Sequence, residues 1–140
     1  GDSHSGGYYE EMCQKADEDA RTVRTGFVRG AEKDELFTNA ALYVLPSDLE
    51  GMPISLLEAM SYGTPCLVSD IPENTQLLEK FGASFAHGDP AALAEALNRA
   101  LHAPPPAGEA QAEYIRQNYS WEKNARDTLA LYQRAAARRR

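Results

Sequence analysis

Residues 45–65 read Leu-Pro-Ser-Asp-Leu-Glu-Gly-Met-Pro-Ile-Ser-Leu-Leu-Glu-Ala-Met-Ser-Tyr-Gly-Thr-Pro, and no other segment says as much about the structure. The apolar residues Ala41 to Leu45 predict a strand that ends at Pro46. Gly51 to Pro53 then restart the chain as a helix, because proline is favoured at the first helical position. A strand, a turn and a helix in this order predict an α/β unit, with the free N–H groups of the first helical turn at the carboxyl edge of the sheet.

Two carboxylates lie on either side of that predicted helix start. Glu50 precedes the turn, and Glu58 lies five residues beyond Pro53, roughly 7.5 Å along the axis at about 1.5 Å per residue. The free amides and the helix dipole favour an anion such as a diphosphate, and ionised carboxylates accept hydrogen bonds from the vicinal hydroxyls of a ribose or a hexose. The pattern therefore predicts a site for a nucleoside-diphosphate sugar, although the same spacing also occurs in surface glutamates that complement a helix dipole.

The segment resembles the donor-binding signature of the group-one retaining glycosyltransferases, which have the two-domain GT-B fold. The positions that match the signature are Pro46, Ser47, Glu50, Gly51, Pro53, Leu57, Glu58, Ala59, Met60, Gly63 and Pro65. Flanking segments extend the resemblance, with Val23 to Val28 before the signature, Ser69 to Glu73 after it and Tyr119 to Glu122 near the end. The resemblance covers nearly the whole chain and implies the C-terminal, donor-nucleotide-binding domain of such an enzyme.

The resemblance also implies roles for individual residues. In the family the first acid contacts hydroxyls of the donor sugar and the second holds the ribose hydroxyls, so these roles come to Glu50 and Glu58. The other implied contacts are a turn that offers backbone N–H groups to the diphosphate, made by Gly51, Met52, Pro53 and Ile54, and a nucleobase pocket lined by Phe27, Val28 and Arg29. Family members transfer the sugar with retention of anomeric configuration, and the departing phosphate helps to activate the acceptor hydroxyl. Such chemistry depends on stabilising the charge of the leaving diphosphate, so both acids of the catalytic site are expected to position the donor rather than act as general bases.

The sequence departs from the family at its N-terminal end. In the family this domain begins with two further strand–helix units, which carry an Arg and a Lys that neutralise the diphosphate, and an acceptor-binding domain precedes them. Gly1 to Ser3 resemble only the tail of the second of those strands, and Arg24, Arg29 and Lys33 do not match the cationic clamp. The chain is therefore expected to be inactive without its N-terminal domain, whereas the intact protein is expected to be a retaining hexosyltransferase.

The absent strands raise a question of pairing. In the family's sheet they lie between the strand predicted at Val23 to Phe27 and the strand predicted at Ala41 to Leu45, so both neighbours would keep unpaired backbone groups. We expect one of three solutions. The first strand pairs directly with the second, two copies form a homodimer by exchanging elements, or the chain is a piece of a longer protein.

Composition limits the class of protein. A chain of 140 residues with 43% hydrophobic residues is expected to form a single Rossmann-like sugar-nucleotide-binding domain over residues 1–140. A formal net charge of −7 argues against nucleic-acid partners, which require a basic face. No apolar run reaches the roughly 20 residues of a membrane span and the N-terminus resembles no signal peptide, so a cytoplasmic location is expected. Cys13, Cys66 and the three histidines lack metal-ligand spacing, so neither a metal nor a cofactor is expected beside the donor.

Alternating strands and helices predict an α/β fold, a Rossmann-like doubly wound parallel sheet with a helical C-terminal end that lacks the first two strand–helix units of the family domain. The predicted strands are Val23 to Phe27, Ala41 to Leu45, Pro65 to Ser69 and Ala83 to Phe85. The predicted helices are Tyr8 to Asp19, Lys33 to Asn39, Pro53 to Tyr62, Glu73 to Lys80, Pro90 to Leu101, Glu109 to Asn118 and a final helix capped by Ser120. In the helix that Pro53 opens, Ile54, Leu57 and Met60 are expected to face the core, and Gly63 is expected to close it in the left-handed conformation.

The final predicted helix carries an apolar stripe and a basic end. The stripe consists of Trp121, Ala125, Leu129 and Tyr132. Core packing explains it most simply, with a partly bare face as the alternative. The basic end, Arg134 and Arg138 to Arg140, favours a solvated tail, with peripheral contact to the inner face of an anionic membrane as the alternative.

Two functions of different classes are consistent with these patterns. The first is the donor-binding half of a sugar-transferring enzyme. The second is a non-catalytic Rossmann-like nucleotide-binding or protein-interaction module that keeps the signature for packing. Nucleotide binding separates the two hypotheses.

Overall fold

The computed structural model describes residues 6–138, which fall into two compact units that divide after Glu35. The first unit contains helix α1 (Gly6–Asp17), and helix α2 (Ala31–Asn39) crosses the division. The expectations for Gly1 to Ser3 and for Arg139 and Arg140 lie outside the described residues. That residues 1–140 form one domain stays a prediction.

The second unit alternates strands and helices in the predicted order. Its elements are β1 (Tyr43–Leu45), α3 (Ile54–Ser61), β2 (Cys66–Ser69), α4 (Pro72–Leu78), β3 (Ala83–Phe85), α5 (Pro90–His102), α6 (Glu109–Tyr119) and α7 (Trp121–Ala137). Two of the helices begin at side-chain caps: Asp89 accepts hydrogen bonds from the Ala91 and Ala92 amides, and Ser120 accepts one from the Lys123 amide. The predicted α/β architecture is confirmed.

The sheet is parallel, with its strands in the order β1-β2-β3. Leu45 pairs with Val68 and Ser69 pairs with Phe85, so the carboxyl ends of all three strands meet at one edge. Every residue of β2 is buried, as expected for the central strand of a parallel sheet. The loops that follow the three strands therefore share one rim, where ligands bind in open α/β sheets.

Helices cover both faces of this sheet, because successive side chains of β2 point in opposite directions. Cys66 and Val68 belong to the core cluster that includes Met60 of α3 and residues of α4 and α6. Leu67 belongs to a second cluster, with Phe85 of β3 and Ala96 of α5. The doubly wound arrangement is thereby confirmed, and the prediction that Cys66 is a core residue is correct.

The strand predicted at Val23 to Phe27 does not form. The segment is irregular backbone, Val23 and Phe27 are exposed, and Gly26 has a φ of 66°. A strand needs a neighbouring strand for its backbone N–H and C=O groups. Here the chain enters the segment from a turn, in which the Thr22 amide donates to the Asp19 carbonyl at 2.8 Å. Direct pairing of this segment with the next strand is therefore wrong, while a homodimer or a longer protein stays a prediction.

The core-facing side of α3 differs from the prediction at Ile54, while Met60 is buried as predicted and Leu57 packs against the core. Ile54, expected in the core, is 59% exposed, whereas Leu56 is fully buried together with Ala59 and Met60. Spacings of three and four residues place these buried side chains on one face of the helix. Leu57 is half-buried. The error arises because Ile54 is the first residue of α3 and lies at its open end.

The carboxyl end of α3 is held tightly by the start of α6. Gly63 has a φ of 73°, as predicted, and its carbonyl accepts a hydrogen bond from the Gly108 amide at 3.0 Å. The buried side chain of Gln111 donates from Nε2 to the Thr64 carbonyl at 2.9 Å and to the Met60 carbonyl at 3.3 Å. These contacts satisfy carbonyl groups that a helix end leaves open, and they fix the direction of α3.

The apolar stripe of α7 does not pack in the core. Trp121 is 83% exposed, and Leu129 and Tyr132 are exposed as well. The interpretation as core packing is therefore wrong, and the alternative of a bare face holds for the part of the chain that the structure describes. From Gly6 to Arg138, no helix combines the length and the hydropathy needed to cross a bilayer.

Candidate functional site

The loop after β1 carries the first acid of the signature. Glu50 is half-buried, and one of its oxygens, Oε1, accepts a hydrogen bond from the Ser47 hydroxyl at 2.5 Å. The Ser47 carbonyl in turn accepts a hydrogen bond from the hydroxyl of Ser69, the last residue of β2, at 2.6 Å. The loop is therefore tied to the carboxyl end of the neighbouring strand.

Glu58, the second acid, lies on α3 beyond the turn, and the Tyr43 hydroxyl is a neighbour of both acids. Burial raises the pKa of Tyr43, and the negative charges of Glu50 and Glu58 act in the same direction. A charge acts measurably on a phenol only over a short distance. Both carboxylates therefore lie within electrostatic range of the Tyr43 hydroxyl.

The Tyr43 hydroxyl donates a hydrogen bond to the Ser55 hydroxyl at 2.7 Å. Ser55 is in the first turn of α3, so this bond joins β1 to the helix start between the two acids. Neither Tyr43 nor Ser55 was predicted from the sequence as a site residue. The available signal was weak, because an aromatic residue in a strand and a serine in a first helical turn are common in any α/β fold.

The N-terminus of α3 begins at Pro53, which is buried and has a φ of −73°. The Leu56 and Leu57 amides donate to the Pro53 carbonyl at 3.0 and 3.2 Å. No described side chain caps the helix, so the amides of Ile54 and Ser55 remain ahead of the first intrahelical hydrogen bonds. This first turn can therefore donate hydrogen bonds to an anion, as the sequence predicts.

The turn before the helix is open. Gly51 and Met52 are both exposed, so neither of these two residues packs in the core. An open cavity of about 340 Å³ lies beside it. Its lining is Met52, Ile54, Leu57, Asn118, Tyr119, Ser120, Trp121, Lys123, Asn124 and Asp127. The volume is within the range of small-molecule sites, and the junction of α6 and α7 that lines it was not predicted.

The loops after all three strands are connected at this rim. The His87 amide, beyond β3, donates to Asp70 Oδ1, beyond β2, at 2.8 Å. His87 Nε2 lies 3.0 Å from Asp48 Oδ1, in the loop after β1. Among residues 6–138 no group of three His, Cys, Asp or Glu side chains is arranged to hold a metal ion. The expectation that no metal or cofactor takes part stays a prediction.

The residues expected at the nucleobase, Phe27, Val28 and Arg29, belong to the first unit, whereas both acids belong to the second. The Arg29 guanidinium lies 4.5 Å from the centroid of the exposed Phe27 ring, a cation–π contact. The Arg24 guanidinium is engaged by the Asp17 carboxylate, with its closest contact at 2.8 Å. The role of Phe27, Val28 and Arg29 toward a nucleotide stays a prediction.

Comparison with known proteins agrees with the signature. Residues 1–121 match the family model described as glycosyl transferases group 1. An uncharacterised glycosyltransferase of Methanocaldococcus jannaschii is 30% identical over 135 residues, which cover 89% of this chain and 33% of that protein. The α-maltose-1-phosphate synthase of Mycolicibacterium smegmatis is 34% identical over 114 residues, which cover 74% of this chain and 30% of that protein.

Among solved structures, the fold is similar to that of a sucrose-phosphate synthase from Thermosynechococcus elongatus, with a TM-score of 0.80 and 25% identity. The match covers 92% of this chain and 34% of that one. The chain thus spans about a third of the length of the relatives that it matches. On the signature, the doubly wound sheet and the family match, this chain belongs to the group 1 glycosyl transferases, as a Rossmann-like C-terminal domain of the GT-B type.

Proposed function

We propose that this domain binds a nucleoside-diphosphate sugar and, in the intact enzyme, presents it for retaining transfer to an acceptor hydroxyl. One observation supports the proposal most directly. The charges of Glu50 and Glu58 both act on the Tyr43 hydroxyl, and the uncapped first turn of α3 lies between the two acids in the chain. This arrangement offers amide donors to a diphosphate and carboxylate acceptors to the sugar hydroxyls on either side of it.

The chemistry assigns positioning and charge stabilisation to these groups. The leaving diphosphate gains negative charge in the transition state, and the amides of Ile54 and Ser55 with the dipole of α3 would stabilise that charge. Glu50 would accept hydrogen bonds from the hexose and Glu58 from the ribose. Neither carboxylate needs to remove a proton, because the departing phosphate itself can activate the acceptor hydroxyl.

The acceptor belongs to the rest of the enzyme in this proposal. The chain spans about a third of the relatives that it matches, so transfer is expected to require the N-terminal acceptor-binding domain. This domain alone is then expected to bind donors but not to transfer the sugar.

Calorimetric titration of the 140-residue chain with UDP, GDP, ADP and their sugars tests the proposal. At least one nucleotide should bind, and Glu58→Ala should weaken it by about tenfold to a hundredfold, since a hydrogen bond to a charged group contributes about 1.5–3 kcal/mol. Glu95→Ala is the matched control, because Glu95 is an exposed helical glutamate of α5 that pairs only with Arg99 at 3.7 Å in the described part of the chain.

The alternative is a non-catalytic module, and one observation favours it. The exposed apolar stripe of α7 is a surface that a binding partner could cover. Indifference of the chain to every nucleotide would support that alternative. Nucleotide binding that Glu58→Ala leaves unchanged would contradict the site and leave the family assignment intact.

A further inference from the structure

A chain of hydrogen bonds runs from α4 to the first acid of the signature. Asn74 donates from Nδ2 to the Ser69 hydroxyl at 3.0 Å and to the Ser69 carbonyl at 3.3 Å. The Ser69 hydroxyl donates to the Ser47 carbonyl at 2.6 Å, and the Ser47 hydroxyl donates to Glu50 Oε1 at 2.5 Å. Asn74 is fully buried and Ser69 is 1% exposed, so water does not compete for the bonds between these two residues, while the two bonds through Ser47 are part-buried.

The direction of this chain is determined by its donors. A serine hydroxyl has one hydrogen, and Ser69 uses it on the Ser47 carbonyl, so the same oxygen must accept from Asn74. Asn74 must then turn its NH₂ group toward Ser69 and its carbonyl oxygen away. That oxygen, Oδ1, is buried and has no hydrogen-bond partner among the described residues.

An unpaired buried acceptor costs about 1–3 kcal/mol, so an apolar residue at position 74 would relieve a real penalty. The side-chain amide of Asn74 is kept in spite of this penalty. Its only hydrogen bonds in the described part of the chain are those that it donates to Ser69. The end of the chain of bonds is equally specific. The Ser47 hydroxyl uses one of about four lone-pair sites of the Glu50 carboxylate and leaves the others for a ligand.

We propose that Ser69 and Asn74 are positioning residues that act through Ser47 to hold the Glu50 carboxylate toward the hexose of a nucleoside-diphosphate sugar. The inference rests on the donor site proposed above. It adds that the aim of Glu50 is determined by residues in β2 and α4, neither of which touches the donor. Carboxylates that orient a substrate must be held within about half an ångström, and buried supporting hydrogen bonds provide this restraint.

A purely structural role is the competing explanation, and the chain offers a matched control for it. Gln111 is also fully buried, also donates from its amide to backbone carbonyls, and also has an unpaired carbonyl oxygen. Its partners are the carbonyls of Met60 and Thr64 at the other end of α3. Gln111→Ala should therefore destabilise the fold about as much as Asn74→Ala without reaching Glu50.

The first experiment needs no ligand. In ¹H–¹⁵N correlation spectra of the 140-residue chain, Ser69→Ala and Asn74→Ala should shift and broaden the amide signals of residues 47–52, because the loop loses its tie to β2. In Gln111→Ala the changed signals should be confined to the end of α3 and the start of α6. Unchanged signals of residues 47–52 in Ser69→Ala, or the same changes in Gln111→Ala, would overturn the inference.

The second experiment compares a nucleoside diphosphate with its sugar by calorimetry, using the base that the wild-type chain binds best. Ser47→Ala, Ser69→Ala and Asn74→Ala should each weaken the sugar-bearing donor by about tenfold and leave the free diphosphate within about twofold. An equal loss for both ligands, or no loss, would overturn the positioning role. If the wild-type chain binds no nucleotide, the proposed function fails, and the spectra recorded without ligand still decide whether the hydrogen-bond chain holds the loop.

Discussion

At the scale of single residues, the Tyr43 hydroxyl is affected by the charges of both acids of the signature. Its hydroxyl is bonded to Ser55 at the helix start, and its pKa is raised by burial and by the charges of Glu50 and Glu58. The phenol therefore reports on both carboxylates at once. It is also an uncharged donor and acceptor beside two negative charges, which keeps hydrogen-bonding capacity in the cleft without adding charge.

We predict that Glu50→Gln and Glu58→Gln each lower the pKa of Tyr43. The sign follows because each substitution removes a negative charge that opposes formation of the phenolate. Titration of chain labelled with ¹³C at the tyrosine ζ carbon measures the pKa of this phenol separately from the other six tyrosines. Glu95→Gln on α5 is the control and should have no effect. A Tyr43 pKa that ignores either acid would place that carboxylate outside the cleft.

The two cysteines should differ in reactivity. Burial raises the pKa of Cys66 to about 12, and its side chain is fully covered, whereas Cys13 is partly exposed. Because the thiolate is the reactive form, a disulfide reagent at pH 8 should titrate one thiol in the native chain and two in denaturant. The Cys66→Ala variant should lose only the thiol that appears on denaturation. Two fast-reacting thiols in the native chain would contradict the burial of β2.

At the scale of elements, the direction of α3 depends on its carboxyl end more than on its start. The start is uncapped and partly open, while Gly63, Gly108 and Gln111 lock the end. Because no side chain caps the start of α3, the amides of its first turn stay available for a ligand. The same packing keeps the position of Glu58 constant relative to the sheet.

We predict that Gly63→Ala destabilises the chain more than Gly88→Ala. Both glycines have positive φ, at 73° and 71°, so both substitutions carry a backbone strain of about 1–2 kcal/mol. At Gly63 the added Cβ would also lie 3.0 Å from the backbone of Gly108, while at Gly88 it would meet nothing within 4 Å. Overpacking adds about 1–3 kcal/mol. Urea denaturation measures the free energy of unfolding of both variants. Equal losses of stability would show that the backbone of Gly108 moves away from the added Cβ with no loss of free energy.

At the scale of the whole molecule, two features leave surface that no other described part of the chain covers. The apolar stripe of α7 is exposed, and the sheet has three strands, with β1 and β3 at the edges of its described part. Contiguous exposed apolar surface is typical of sites that bind a partner. The chain spans about a third of the length of the relatives that it matches.

We predict that Trp121, the single tryptophan, fluoresces as a solvent-exposed indole in the isolated chain. It is 83% exposed and its emission should be at long wavelength and easily quenched by acrylamide. Leu129→Gln is the companion variant, because this substitution on the same exposed face should change the free energy of unfolding by less than about 0.5 kcal/mol. A blue-shifted, protected emission at low protein concentration would show that the face is covered.

Much of the molecule could be predicted from patterns within short segments. The order of strands and helices from β1 onward, the cap at Ser120 and the left-handed Gly63 were correct, because periodicity and turn chemistry involve neighbouring residues. The positions of the two acids on either side of the α3 start followed from the same local logic. So did the family, since its signature is one continuous segment.

Other features depend on partners that are far away in the chain, and only the folded structure decides them. The segment Val23 to Phe27, predicted as a strand, pairs with no strand among the described residues, and the stripe of α7 has no described layer to cover it. The support of Glu50 depends on Ser47 and Ser69, which are 22 residues apart and meet only because β1 and β2 are adjacent. Hydrogen bonds and burial between distant residues arise from packing, which a local pattern does not encode.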